Sequence, residues 1–115
     1  MNKYKGNCHC GKVEFEVETD FSDTFRCNCS YCVRRAAIMQ KVTSNHFTLL
    51  AGDIELGVYG KRDFSKHYFC SYCGTNCFTR ITRNDESSVA INIGCIQGID
   101  SYSFNPRIFD GANKL

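Results

Sequence analysis

The sequence contains little that would join separate parts: a single proline, Pro106, no Pro/Ser-rich linker, no low-complexity segment and no internal repeat within 115 residues. One domain spanning 1–115 is therefore expected, and it is small enough that its core would benefit from external staples. Long apolar runs are missing too. No stretch approaches the ~18 to 20 residues that a bilayer span requires, and Met1–Lys12 (MNKYKGNCHCGK) has no apolar segment of the kind a secretory leader needs. A soluble, cytoplasmic chain with no membrane partner is the expectation. Excess charge is also absent. Fourteen basic side chains face twelve acidic ones, a net charge of +2, too little for nucleic-acid binding through bulk electrostatics. The oligomeric state is left open.

What the sequence has is cysteine, nine residues of 115. In a reducing compartment, a cysteine-dense chain without an export signal points to metal sites before disulfides, and the odd count agrees. The remaining pattern has period two. Val13, Phe15 and Val17 alternate with Glu14, Glu16 and Glu18, which predicts a strand with one buried and one acidic face. Ile38–Val42, Phe47–Leu50, Ile54–Tyr59, Cys77–Thr82 and Val89–Ile93 read the same way, divided by turn clusters such as Ala51-Gly52-Asp53 and Arg83-Asn84-Asp85. The chain is predicted to be mainly β, with one or two helical turns from about Ser30, as cap, to Ala37.

The cysteines fall into motifs. Cys70-Ser71-Tyr72-Cys73-Gly74 has the form of a zinc knuckle: two thiolates grip an ion from a tight turn, and a residue without Cβ takes the left-handed position after the second ligand. A redox Cys-x-x-Cys would instead open a helix in a βαβ context. A closed tetrahedral site needs two more thiolates. Cys8/Cys10 and Cys27/Cys29 each offer a pair on one side of an extended segment, and spacing alone does not choose between them. If Cys8 and Cys10 complete the knuckle, Cys27-x-Cys29-x-x-Cys32 remains as three thiolates on one loop. Three protein ligands with an exchangeable position is the arrangement of a catalytic zinc. Closure of that site by Cys77 or Cys95 is the alternative; Cys77, beside Phe78 in a strand, reads better as an ordinary buried thiol. Thiolate sites accept iron as well as zinc.

The motifs Gly6-Asn7-Cys8-His9-Cys10-Gly11-Lys12-Val13, Cys27-Asn28-Cys29-Ser30-Tyr31-Cys32 and His67-Tyr68-Phe69-Cys70-Ser71-Tyr72-Cys73-Gly74-Thr75, in this order, resemble those of the glutathione-dependent formaldehyde-activating enzyme family, in particular its short members. The likeness runs from about Gly6 to about Phe109. It implies a β-tent (Mss4-like) fold of several coiled antiparallel sheets stapled by about two zinc ions. Cys8, Cys10, Cys70 and Cys73 would hold a structural zinc, and Cys27, Cys29 and Cys32 a catalytic one. The sequence departs from the family pattern at Val33, where a basic residue is common, at Ala36-Ala37, where a glycine is usual, and at Cys95, where a small hydroxyl residue is typical.

The implied reaction is that of a carbon–sulfur lyase: a glutathione thiolate, or another thiol, adds to formaldehyde or a related aldehyde to give an S-hydroxymethyl adduct. Arg34 and Arg35, next to the reactive loop, are candidate partners for the glutathione carboxylates. His9 and His67 are expected off the metals, His46 in a turn, and Tyr31 and Tyr72 on a pocket wall. The alternative function is a non-catalytic zinc module for macromolecular binding, which a closed second centre would favour. Methionine sulfoxide reduction on the same fold would need a reactive late cysteine, and Gly94-Cys95-Ile96 does not supply its context.

Overall fold

Segments rich in β-branched and aromatic residues, cut at short intervals by Gly, Asn and Asp, favour strands over helices at nearly every point. The computed structural model describes all 115 residues. It has ten strands: β1 (Asn2–Asn7), β2 (Glu14–Thr19), β3 (Thr24–Cys27), β4 (Met39–Thr43), β5 (Phe47–Ala51), β6 (Leu56–Tyr59), β7 (Ser65–Cys70), β8 (Asn76–Arg83), β9 (Glu86–Asn92) and β10 (Arg107–Phe109). Two four-residue helices, α1 (Cys32–Arg35) and α2 (Gly111–Lys114), and three 3₁₀ turns complete it. The mainly β expectation is met. No helix is long and apolar enough to cross a membrane.

The strands form two sheets, one of three in the order β1-β2-β5 and one of seven in the order β10-β3-β4-β9-β8-β7-β6. All neighbours are antiparallel except β10, which runs parallel to β3 with Phe109 beside Cys27. Val13, Phe15 and Val17 are fully buried, as their alternation requires, and join Val42, Phe47, Phe78, Val89 and Ile91 in a core between the sheets. Phe47 and Phe78 lie 4.7 Å apart and Tyr68 stacks on Phe78 at 5.1 Å. The period of two then decides what the other face of the large sheet carries. Thr79, Ile81, Ser88 and Ala90 alternate with core residues of β8 and β9 and line a cavity of about 580 Å³.

Two local expectations are corrected. Ile54 does not begin a strand; it lies in a turn with 89% of its surface exposed, and β6 starts at Leu56. The predicted helix from Ser30 to Ala37 shrinks to α1, without a side-chain cap from Ser30. The Cys29 sulfur takes that place, accepting from the Cys32 N–H at 3.4 Å. Ala36, at φ +53°, ends the helix one turn later.

Candidate metal centres

Two turns bring the first thiol group together. The Cys8–Gly11 turn leads into β2 and closes through Gly11 N–H to Cys8 C=O at 3.1 Å; the Cys70–Gly74 turn leaves β7 and closes through Gly74 N–H to Cys70 C=O at 2.7 Å. Each ends on a glycine in the left-handed region, at φ +84° and +81°. Cys8, Cys10, Cys70 and Cys73 thus place their sulfurs within 4.8 Å of one another. Cys8–Cys10 and Cys10–Cys70 are 3.5 and 3.7 Å apart, close to the edge of about 3.8 Å that tetrahedral Zn–S bonds of about 2.3 Å produce. The Val13 N–H points at Cys8 Sγ (3.3 Å), and the Thr75 hydroxyl lies 3.3 Å from Cys73 Sγ. The Thr75 hydrogen bond is the main cause that brings Cys73 down to about 5. The Lys12 N–H favours a thiolate at Cys10, yet burial and three neighbouring thiols outweigh it and push Cys10 up to about 12. At Cys8 burial opposes ionisation, but the Val13 N–H and the neighbouring thiols overcome it and lower the thiol, so the thiolate form is favoured at Cys8 and Cys73 and resisted at Cys10, a conflict that a divalent cation removes. The four residues fit a metal ion.

The second group stands at the end of β3. Cys27, Cys29 and Cys32 also place their sulfurs within 4.8 Å of one another, with Cys29 and Cys32 buried. Burial pushes all three thiols up. At Cys29 the Cys32 N–H and the neighbouring thiols overcome that effect and bring it down to about 7. At Cys32 burial prevails over the attraction of Arg35 and holds the thiol at about 12. The same fit to a cation holds, with three donors instead of four.

Neither remaining cysteine is a fourth donor to the second group. The Cys77 thiol donates to Thr75 C=O at 3.4 Å from within the core, and the Cys95 thiol to Asn76 C=O at 3.5 Å. The Cys77 thiol is driven far up, first by its hydrogen bond with Cys95 and then by burial.

Arg34 and Arg35 part company. Arg35 turns inward: it donates to Cys32 Sγ at 3.7 Å, Thr79 Oγ1 at 3.4 Å and Asn76 Oδ1 at 3.3 Å, with its Nε buried and without a partner. Arg34 stays exposed and, with Tyr31, Tyr59, Lys61 and Arg62, lines a second cleft of about 420 Å³. The two cavities share Arg62, Ser65 and His67. His67 is buried, its ring tilted 32° to that of Tyr31 at 4.4 Å, with Nδ1 2.8 Å from Thr79 Oγ1. Burial, then the charges of Arg35, Arg62 and Lys66, push its pKa down to about 4, so the ring is neutral near pH 7. Neither His9, whose ring is absent from the thiol group its turn carries, nor His46 adds a donor to either group. Tyr31 forms a wall as expected. Tyr72 does not: it is 72% exposed, beneath the Lys12 ammonium, because its turn faces solvent.

Sequence reasoning missed Tyr59, Lys61, Arg62 and Ser65, whose turn reads as ordinary surface, and it missed the C-terminal residues. Gly111 lies so close to Cys27 that a Cβ there would sit 2.5 Å from the sulfur. Only the placement of Asn28 between two candidate ligands hinted at the bonds it makes to that segment.

A family model described as glutathione-dependent formaldehyde-activating enzyme matches residues 3–110. A Rhodobacter sphaeroides protein of known crystal structure is similar over 91% of this chain and 99% of its own, with 31% sequence identity and a TM-score of 0.82.

Proposed function

This chain belongs to the glutathione-dependent formaldehyde-activating enzyme family, and from that membership and the three-thiol group we propose a zinc-dependent carbon–sulfur lyase-type enzyme, acting as one domain over 1–115. Its substrates are glutathione, or a similar thiol, and formaldehyde or a related aldehyde. The observation that carries the reading is the count of donors: four thiols in one group and three in the other, with Cys77 and Cys95 engaged elsewhere. Four close a structural site, and three leave a position for a ligand.

Zinc held by Cys27, Cys29 and Cys32 would supply the thiolate form of a thiol that on its own is mostly protonated at neutral pH. The protein's residues do the rest. Arg35 sets its guanidinium beside Cys32 and offsets negative charge gathered at the three sulfurs. It also donates to Thr79 Oγ1, whose hydroxyl we assign as the donor to His67 Nδ1. That assignment puts the His67 proton on Nε2, where it can donate to the oxygen that becomes negative as sulfur attacks the aldehyde carbon. The carbon–sulfur bond forms, the carbonyl π pair moves to oxygen, and the thiol proton, lost on activation, is regained there.

Arg35 is committed inward, so the substrate carboxylates go to Arg34 with Lys61 and Arg62 around the smaller cleft, whose lining has no acidic residue. NMR exchange between ¹³C-formaldehyde and its glutathione adduct tests the reading. Wild type should accelerate exchange above the uncatalysed rate, and Cys32→Ser should return it to that rate. Equal exchange with and without wild type overturns the enzyme. If Cys95→Ser also loses the second metal, the site is closed and the binding-module alternative takes its place.

A further inference from the structure

The three-thiol group is roofed by the end of the chain. Phe109 pairs alongside Cys27 through the parallel β10–β3 contact, and the Asn28 N–H donates to Phe109 C=O at 3.2 Å. The Asn28 side chain makes two more bonds to the same segment, donating to Asp110 Oδ1 at 3.1 Å and accepting from the Ala112 N–H at 2.9 Å. Asp110 is itself held by the Asn113 amide at 2.9 Å. These bonds place Gly111 flat against the thiols: a Cβ added there would meet Cys27 Sγ at 2.5 Å, Cys29 Cβ at 3.2 Å and Leu115 Cδ1 at 3.2 Å. Ordinary contact begins near 3.4 Å, so a methyl at 111 displaces the sulfur by roughly 1 Å. Metal–sulfur bonds tolerate about 0.2 Å.

We infer that Asp110–Leu115 is a clamp that seats Cys27 as a metal ligand, with Asn28 as its latch and Gly111 as its contact surface. Asn28 and Gly111 are positioning residues: both act through Cys27. The inference rests on the proposed metal at Cys27, Cys29 and Cys32. Because the clamp and the ligand share one thiol, docking of the C-terminal turn and occupancy of the site favour each other, as linkage requires. Gly111 is outside the left-handed region, so alanine suits its backbone and is the better helix former. Any harm from Gly111→Ala therefore comes from the contact with Cys27 rather than from the backbone.

The test uses the full chain, with metal content, competition against a chromogenic chelator, hydrogen exchange and iodoacetamide labelling of Cys27 as readouts. Gly111→Ala should keep the metal of the Cys8 group and lose that of the Cys27 group. Asn28→Ala should weaken the second site by about 10- to 100-fold, the range for lost ligand-supporting hydrogen bonds. Loading the second site of wild type should slow exchange of the Ala112 amide. Two metals held with wild-type affinity in both variants overturns the clamp. If wild type holds one metal, in the Cys8 group, the underlying reading fails, and labelling of that protein with its second site empty decides the clamp alone. Cys27 should then react about tenfold faster in Asn28→Ala than in wild type, and equal rates overturn it.

Discussion

Cys32 and Cys95 are both buried thiols, yet their neighbours give them different roles. Cys32 meets two other thiols and a guanidinium, whereas Cys95 meets a backbone carbonyl and the single thiol of Cys77. Elemental analysis under reducing conditions should find about two metal ions in wild type, one in Cys32→Ser and two in Cys95→Ser. His67 supplies a second prediction. Its pKa is lowered from 6.5 to about 4 in the folded protein, so the unfolded chain binds more protons between those values. Its contribution to stability is then fully present above about 6.5 and is lost as pH falls toward 4. Comparing urea midpoints of wild type and His67→Gln across this window isolates the effect: the gap should narrow on acidification, and a constant gap would refute it. The short cysteine motifs were legible at this scale, because chelation by thiolates demands cysteines at short spacing, whereas which pair joins Cys70 and Cys73 came from the family resemblance. The inward turn of Arg35 was not legible. It depends on Asn76 and Thr79, more than 40 residues away, and its neighbour Arg34 carries the same charge with the opposite orientation.

Among the elements, the two glycine-closed cysteine turns carry the most specific requirement. Gly74 has φ +81° with open space around its missing Cβ, so backbone preference alone sets the cost of a side chain. Gly74→Ala should cost about 1 to 2 kcal/mol, the penalty for an L-residue in the left-handed region, and Gly74→Asn less. Denaturant titration of metal-loaded protein measures both; equal stability of the two variants would contradict the assignment. Strand β2 was readable because burial is one-sided and its apolar residues alternate. Strand β1 was not, since it reads NKYKGN and is mostly exposed, an edge strand held by its backbone register with β2. Strands β3 and β10 are four and three residues long, too short for a period to emerge. The latter is placed by its parallel register with β3 and by the Asn28 bonds, which no local pattern announces.

At the scale of the molecule, the first thiol group fastens the start of β2, in the small sheet, to the turn between β7 and β8, in the large one. Cys10 and Cys70 are 60 residues apart in sequence, and closing such a loop costs about 3.6 kcal/mol before constant terms. A structural zinc held there would contribute roughly 10 to 16 kcal/mol, so such a staple would be net stabilising and chelation should unfold the chain. Calorimetry should show the cooperative transition of the metal-loaded protein lost or strongly lowered after chelation, while Cys32→Ser, with its first site intact, keeps it. The Cys27 group is the proposed seat of function in this frame, and cobalt(II) would report directly on the fourth position that three donors leave. In cobalt-loaded protein, adding glutathione should change the thiolate-to-metal absorption in wild type, and the change should be absent in Cys32→Ser. A wild-type spectrum unmoved by saturating glutathione would contradict an open three-thiolate site.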